Sequence, residues 1–96
     1  MTEIKPLLSL CMIVKNEEKY LEECLKSVEN VVDEIIIVDT GSTDGTIEIA
    51  TKYKSKIYFY NWINDFAAAR NFALKQCKGS WVLYLDADER LIKESI

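Results

Sequence analysis

The chain has 96 residues, of which 49% are hydrophobic and 29% charged, and its formal net charge is −4. Such a composition is typical of one compact globular domain, and the acidic balance without basic clusters leads us to expect no nucleic-acid partner. The apolar run from Leu7 to Val14 is too short to span a bilayer, so we expect a cytoplasmic chain that contains no membrane segment.

The first half of the chain is predicted to form a strand, a helix and a second strand. The apolar run 7–15 predicts the first strand, and the 3.6-residue spacing of apolar side chains after it predicts a helix. Asn16 is the expected N-cap of that helix, with Glu17 and Glu18 in its first turn. The β-branched run 34–39 is typical of a strand covered on both faces.

The second half repeats this alternation. A helix is predicted from about Thr46 to Tyr53, a third strand at 56–60, and a helix that Asp65 caps and Gly79 ends in the C′ position. The apolar residues 81–85 predict a buried fourth strand. The three cysteines, without any histidine to complete a zinc site, are expected to be small buried side chains rather than disulfides or metal ligands.

The order β-α-β-α-β-α-β predicts an α/β fold of the Rossmann-like three-layer α/β/α type, with a parallel sheet and right-handed crossovers. In such sheets ligands bind beyond the carboxyl ends of the strands. Acidic residues follow three of the four predicted strands, at Glu17, Asp39 and Asp86. We therefore expect their side chains to lie along one edge of the sheet.

Asp86 and Asp88 follow the fourth strand with one residue between them. In extended chain both point to the same side, and at about 6 Å they would repel each other by roughly 3 kcal/mol at an effective dielectric constant of about 20. A pair of carboxylates suits Mg²⁺ or Mn²⁺ together with phosphate oxygens. The alternative is structural, with Asp86 as the N-cap of a following helix and Asp88 in its first turn.

Asp39 ends the second strand and is followed by the turn "TGSTDGT". The turn has neither a Walker A lysine nor a G-x-G-x-x-G pattern, so it matches no common phosphate loop. We expect Asp39 to accept hydrogen bonds from a nucleobase N–H or a ribose hydroxyl. For Gly41, Asp44 and Gly45 we expect structural roles.

The segments "MIVKNEE", "IIIVDTGSTDGT", "WINDFAAARNFAL" and "WVLYLDADE" together resemble the successive motifs of the family 2 glycosyltransferases, which have the GT-A fold. The resemblance covers nearly the whole chain. It implies a nucleotide-diphosphate sugar as donor, most often a UDP-sugar, transfer with inversion at the anomeric carbon, and Mg²⁺ or Mn²⁺ as cofactor.

The resemblance also implies roles for individual residues. Val14 and Glu17 would line the base and ribose pocket, Asp39 would accept from the base, and Arg70 would reach the nucleotide. Asp86 would contact the ribose or assist the metal, and Asp88 would ligate the metal directly. Trp62 and Phe66 are expected to be packing residues.

One departure from the family is length, because a complete GT-A domain is longer than this chain. We therefore expect a single truncated domain, 1–96, that holds the donor-binding half and lacks both the acceptor site and the general base. Two other functions stay open. One is a non-catalytic nucleotide-binding module, and the other is an assembly module that forms a homodimer through an exposed sheet edge.

Overall fold

The computed structural model describes residues 8–61 and 65–87. Strands and helices alternate in the predicted order. The strands are β1 (Leu8–Val14), β2 (Glu34–Asp39), β3 (Lys56–Phe59) and β4 (Trp81–Tyr84), and the helices are α1 (Leu21–Val28), α2 (Thr46–Lys52) and α3 (Phe66–Gln76).

The four strands form one parallel sheet in the order β3-β2-β1-β4. Ser9 pairs with Glu34 and Val14 with Asp39, so β1 and β2 are aligned along their whole shared length. Every residue of β2 is buried, as expected for a strand in the centre of a covered sheet. The predicted parallel α/β architecture is confirmed.

Helices cover both faces of the sheet. On one face, side chains of β1 such as Leu10 and Met12 pack with Leu25 of α1 and Ala50 of α2. On the other face, α3 packs on the sheet through Ala73 and the side chains around it. These contacts create the three layers.

The start of α1 differs from the prediction. The helix begins at Leu21, after the N-cap position Tyr20, and no side chain caps it. Asn16 instead has a positive φ of 52°, and its side-chain Oδ1 accepts a hydrogen bond from the backbone N–H of Thr43 at 2.7 Å. Because that oxygen is used by another loop, Asn16 does not serve as the cap.

The amino end of α3 agrees with the prediction, and its carboxyl end does not. The Asp65 side chain accepts from Ala68 N at 3.0 Å and caps the helix as expected. The predicted C′ role of Gly79 is wrong, because the C-cap is Cys77, two residues before it. A Cβ at Gly79 would lie 2.6 Å from Ser9 Oγ and 2.8 Å from Ser9 N, so the glycine permits close approach to β1.

β4 is an edge strand of the sheet that the structure describes, and it is less buried than predicted. Trp81 is 70% exposed and Val82 41%, since β4 pairs with β1 on one side only.

Among the cysteines, Cys11 and Cys24 are buried and Cys77 is half-buried, and all of them are free thiols. In the described ranges, each helix is too short or too polar to cross a membrane.

Glu34 joins several segments at the amino edge of the sheet. Its buried carboxylate accepts hydrogen bonds from Ser9 Oγ, from Lys78 N at 2.6 Å and from Lys56 Nζ at 3.3 Å. Burial raises the pKa of the Glu34 carboxyl, but these hydrogen bonds outweigh burial and hold the pKa below its ordinary value of 4.5. The carboxylate thus ties β2 to both neighbouring strands and to the turn that precedes β4.

Candidate functional site

Asp39 lies at the carboxyl end of the central strand β2 and is 2% exposed. Its Oδ1 accepts hydrogen bonds from the backbone N–H groups of Gly41 at 2.9 Å and Ser42 at 2.8 Å. Within residues 8–61 and 65–87, the buried Oδ2 has no hydrogen-bond partner. Since buried polar atoms are nearly always paired, an unpaired carboxylate oxygen is a candidate acceptor for a ligand.

A cleft of about 200 Å³ opens beside Asp39. Its walls come from the turn after β2 and from the end of β3, with the lining residues Asp39, Thr40, Gly41, Ser42, Phe59, Tyr60 and Asn61. A larger depression of about 320 Å³ lies at the opposite edge, around Asp33 and Tyr53. We assign the site to the smaller cleft, because parallel α/β sheets bind ligands at the carboxyl ends of their strands.

The conformation of the turn after β2 is restricted by a glycine with positive φ and by hydrogen bonds. Gly41 has a φ of +125°, which a residue with a Cβ adopts only with strain. The backbone N–H of Thr46 donates to Asp44 Oδ1 at 3.0 Å at the start of α2. Both observations agree with the structural roles expected for Gly41 and Asp44. Gly45 N donates to Glu18 Oε1 at 2.8 Å, so this glycine contacts the loop that follows β1.

Val14 lies beside Asp39, its partner in the sheet, and Glu17 follows in the loop after β1. The Val14 side chain is buried in the core, and its carbonyl accepts hydrogen bonds from Thr40 N at 3.0 Å and Thr40 Oγ1 at 3.2 Å. The backbone N–H of Glu17 donates to Thr46 Oγ1 at 2.8 Å. A direct role for Val14 in ligand binding would therefore have to involve its backbone.

Arg70 and Asp86 come together around Tyr84 at the end of β4. The Arg70 guanidinium lies 4.9 Å from the centre of the Tyr84 ring and 5.1 Å from that of Phe66. Burial raises the pKa of Tyr84, the nearby negative charge of Asp86 raises it further, and Arg70 opposes both. Phe66, expected to be a packing residue, packs on the Arg70 guanidinium and is 44% exposed.

The structure brings the predicted residues into two groups. Val14 and Asp39 are the last residues of β1 and β2 and pair with each other, and Glu17 lies in the loop after β1. Arg70 and Asp86 lie near the end of β4, which is on the other side of β1 from β2. Asp88 and Trp62 lie outside the described residues. The proximity of Asp39 and Asp88 therefore stays a prediction.

Of the two predicted metal ligands, Asp86 lies within the described ranges, and it is exposed. Those ranges contain no group of three or more histidine, cysteine, aspartate or glutamate side chains that could hold a metal ion. One hard oxygen donor still fits a divalent cation that takes further ligands from water and phosphate.

Several residues of the site were not singled out from the sequence. Phe59 and Tyr60 line the Asp39 cleft, and Tyr84 supports Arg70. A signal for Phe59 and Tyr60 was present, because they end the strand predicted at 56–60 and ligands bind beyond the carboxyl ends of parallel strands. No pattern along the chain indicates the stacking of Arg70 on Tyr84, because the contact depends on how α3 lies across the sheet.

Comparison with known proteins agrees with this geometry. The sequence model of the family described as "Glycosyl transferase family 2" matches residues 9–96. A TPR repeat-containing protein of Synechococcus elongatus is 52% identical over 87 residues, which are 91% of this chain and 22% of that protein. The chain thus spans about a fifth of the length of this curated relative.

Solved structures show the same fold. TarS of S. aureus in complex with UDP superposes with a TM-score of 0.75 and 31% identity, over 93% of this chain and 29% of that chain. The mannosyltransferase PcManGT of Pyrobaculum calidifontis, in complex with GDP-Man and Mn²⁺, gives a TM-score of 0.75 and 25% identity, over 91% and 29%. The expected GT-A type of α/β fold is confirmed. Since the family match extends over nearly the whole sequence, the chain belongs to the glycosyl transferase family 2.

Proposed function

We propose that this chain binds the nucleotide of a nucleotide-diphosphate sugar and so serves glycosyl transfer to an acceptor. The observation that carries the proposal is the buried, unpaired Oδ2 of Asp39 beside a cleft at the carboxyl edge of the sheet. The complexes of TarS with UDP and of PcManGT with GDP-Man and Mn²⁺ support the same ligand class.

The chemistry of Asp39 suits a nucleobase better than a phosphate. Its carboxylate is an acceptor of hydrogen bonds and would repel an anion, whereas a base N–H is a neutral donor. The cleft of about 200 Å³ is smaller than the roughly 300–1,000 Å³ of complete small-molecule sites. We infer that it holds the base, while the rest of the nucleotide extends along the carboxyl edge toward β4.

The diphosphate end of the ligand is assigned to the second group of residues. Arg70, an exposed residue in the first half of α3, supplies a positive charge over the ring of Tyr84. Asp86, together with Asp88 from outside the described residues, would hold Mg²⁺ or Mn²⁺. When bound, such a cation neutralises negative charge on the departing diphosphate. Contact between Asp86 and the ribose is the other role in this proposal.

The finer features of the reaction rest on the motif resemblance. We propose a UDP-sugar as the donor and inversion at the anomeric carbon. The acceptor and the general base are not assigned to any residue of this chain. A cytoplasmic location stays a prediction from the sequence.

The test is calorimetric titration of the chain with UDP and GDP, with and without Mn²⁺. We expect Asp39→Asn to weaken UDP binding by about 10- to 100-fold, since hydrogen bonds to a charged group contribute about 1.5–3 kcal/mol. Asp33→Asn is the matched control, because Asp33 is an exposed aspartate at the opposite edge of the sheet. Unchanged affinity of Asp39→Asn would refute the base site, and Mn²⁺-independent binding would refute the metal assignment.

A second function, self-association, is favoured by the exposed Trp81 on the edge strand β4. Unpaired strand edges with apolar side chains promote pairing with another chain. Sedimentation of the chain should then show a dimer that Trp81→Lys disrupts. A monomer at all accessible concentrations would refute this function.

A further inference from the structure

The loop after β1 is hydrogen-bonded to the turn after β2 through Asn16. Its backbone φ of 52° lies in the left-handed region, which asparagine tolerates better than most residues. In this conformation Asn16 N donates to Ser42 Oγ at 2.9 Å, and Asn16 Oδ1 accepts from Thr43 N at 2.7 Å. The backbone N–H and the side-chain oxygen of Asn16 thus bind the same turn.

The same turn holds the carboxylate of Asp39. Ser42, whose Oγ accepts from Asn16, donates its own backbone N–H to Asp39 Oδ1 at 2.8 Å. Gly41 donates to that oxygen as well, at 2.9 Å. These two hydrogen bonds fix the orientation of the Asp39 carboxylate. That orientation determines where the unpaired Oδ2 lies.

We propose that Asn16 is a positioning residue for Asp39, which holds residues 41–43 in place so that Oδ2 faces the base cleft before any ligand binds. This inference rests on the proposed nucleotide site and adds a determinant of its affinity. Asn16 acts through Ser42 and Thr43 and has no assigned contact with the ligand. Without its two hydrogen bonds the turn would have to become ordered during binding, which reduces affinity.

A second pair of contacts between the same loops provides a control. Glu18 Oε1 accepts from Gly45 N at 2.8 Å, and Glu17 N donates to Thr46 Oγ1 at 2.8 Å. These hydrogen bonds attach the loop to the start of α2, beyond the residues that bind Asp39. Glu18→Ala therefore removes a contact of the same kind without affecting the donors to Asp39 Oδ1.

Two substitutions distinguish the contribution of the Asn16 side chain from that of its backbone. Asn16→Gly keeps the left-handed φ at no cost and removes Oδ1, whereas Asn16→Asp keeps an acceptor oxygen in the same position. We expect Asn16→Gly to weaken UDP binding about tenfold, Asn16→Asp to bind as the unmodified chain does, and Glu18→Ala to leave affinity unchanged. In an Asp39→Asn background, Asn16→Gly should have almost no further effect.

Two further measurements distinguish positioning from general damage to the fold. Pyrophosphate has no base, so its affinity should not change in Asn16→Gly. Amide hydrogen exchange of Gly41 and Ser42 without ligand should become about tenfold faster in Asn16→Gly and should return to the original rate in Asn16→Asp.

Several results would overturn the proposal. These are unchanged UDP affinity and unchanged exchange in Asn16→Gly, equal losses in Asn16→Asp, or an equal loss of UDP affinity in Glu18→Ala. If the unmodified chain does not bind UDP at millimolar concentration, the proposed function fails. The exchange rates of Gly41 and Ser42 then still decide whether Asn16 orders the Asp39 turn.

Discussion

Replacement of Glu34 by glutamine should strongly destabilise the fold. The carboxylate accepts from Ser9 Oγ and Lys78 N, and hydrogen bonds to a charged group contribute about 1.5–3 kcal/mol each. The ion pair with Lys56, whose side chain is 53% exposed, adds at most about 1 kcal/mol. Glutamine keeps one acceptor oxygen, so we expect a loss of about 2–4 kcal/mol. A chain of this length has a total stability of roughly 5–14 kcal/mol.

The loss of stability caused by Glu34→Gln should depend on pH. Because hydrogen bonds hold the pKa of Glu34 below 4.5 in the folded chain, the carboxylate stabilises the fold above the unfolded pKa. That contribution is lost as the pH falls through the lower, folded value. The difference in stability between the unmodified chain and Glu34→Gln should therefore be largest near neutral pH and should shrink below pH 4.5.

Urea denaturation followed by circular dichroism, at neutral pH and at about pH 3, measures both effects. Glu48→Gln is the control, because it neutralises an exposed glutamate of α2 and should change the free energy of unfolding by less than about 0.5 kcal/mol. A loss below about 1 kcal/mol for Glu34→Gln, or a difference that does not shrink in acid, would refute the reasoning.

Two further predictions concern close packing against β1. Gly79→Ala should lower the free energy of unfolding by about 2 kcal/mol in thermal denaturation, because its Cβ would lie 2.8 Å from the backbone N of Ser9; a loss below about 0.5 kcal/mol would contradict the contact. Burial raises the pKa of the Cys11 thiol to about 12, so at pH 8 thiol reagents should modify the half-buried Cys77 first and Cys11 only after unfolding. Peptide mapping by mass spectrometry checks this order, and rapid labelling of Cys11 in the folded chain would contradict it.

The elements of the fold could be predicted because they depend on local patterns. The apolar run of β1 and the spacing of Leu21, Leu25 and Val28 indicate a strand and a helix without reference to any tertiary contact. The start of α1 could not be predicted. The expected cap, Asn16, uses its side chain to bind Thr43 in a loop that follows another strand, and no local pattern reveals that partner.

The order of the strands in the sheet could also not be predicted from the sequence. The apolar residues of β2 and β4 look alike along the chain, yet β2 is buried throughout and Trp81 of β4 is 70% exposed. Burial of a strand depends on its neighbours in the sheet, which the pattern of one strand does not determine. The site was predicted in part, since the carboxyl-edge rule identified Asp39 but not the hydrogen bonds that leave Oδ2 unpaired.

β2 begins and ends with an acidic residue, and we expect Glu34 to stabilise the fold and Asp39 to bind the ligand. Glu34 and Asp39 are both buried carboxylates on the same strand, so burial and the kind of polar group do not distinguish them. The difference is hydrogen bonding, because both oxygens of Glu34 accept from protein donors whereas Asp39 has partners at Oδ1 only, among the residues that the structure describes. A carboxylate selected for stability alone would have both oxygens paired, since an unpaired buried oxygen costs free energy. We therefore expect Glu34→Gln to reduce stability more than Asp39→Asn does, and only Asp39→Asn to reduce UDP affinity in the fully folded chain.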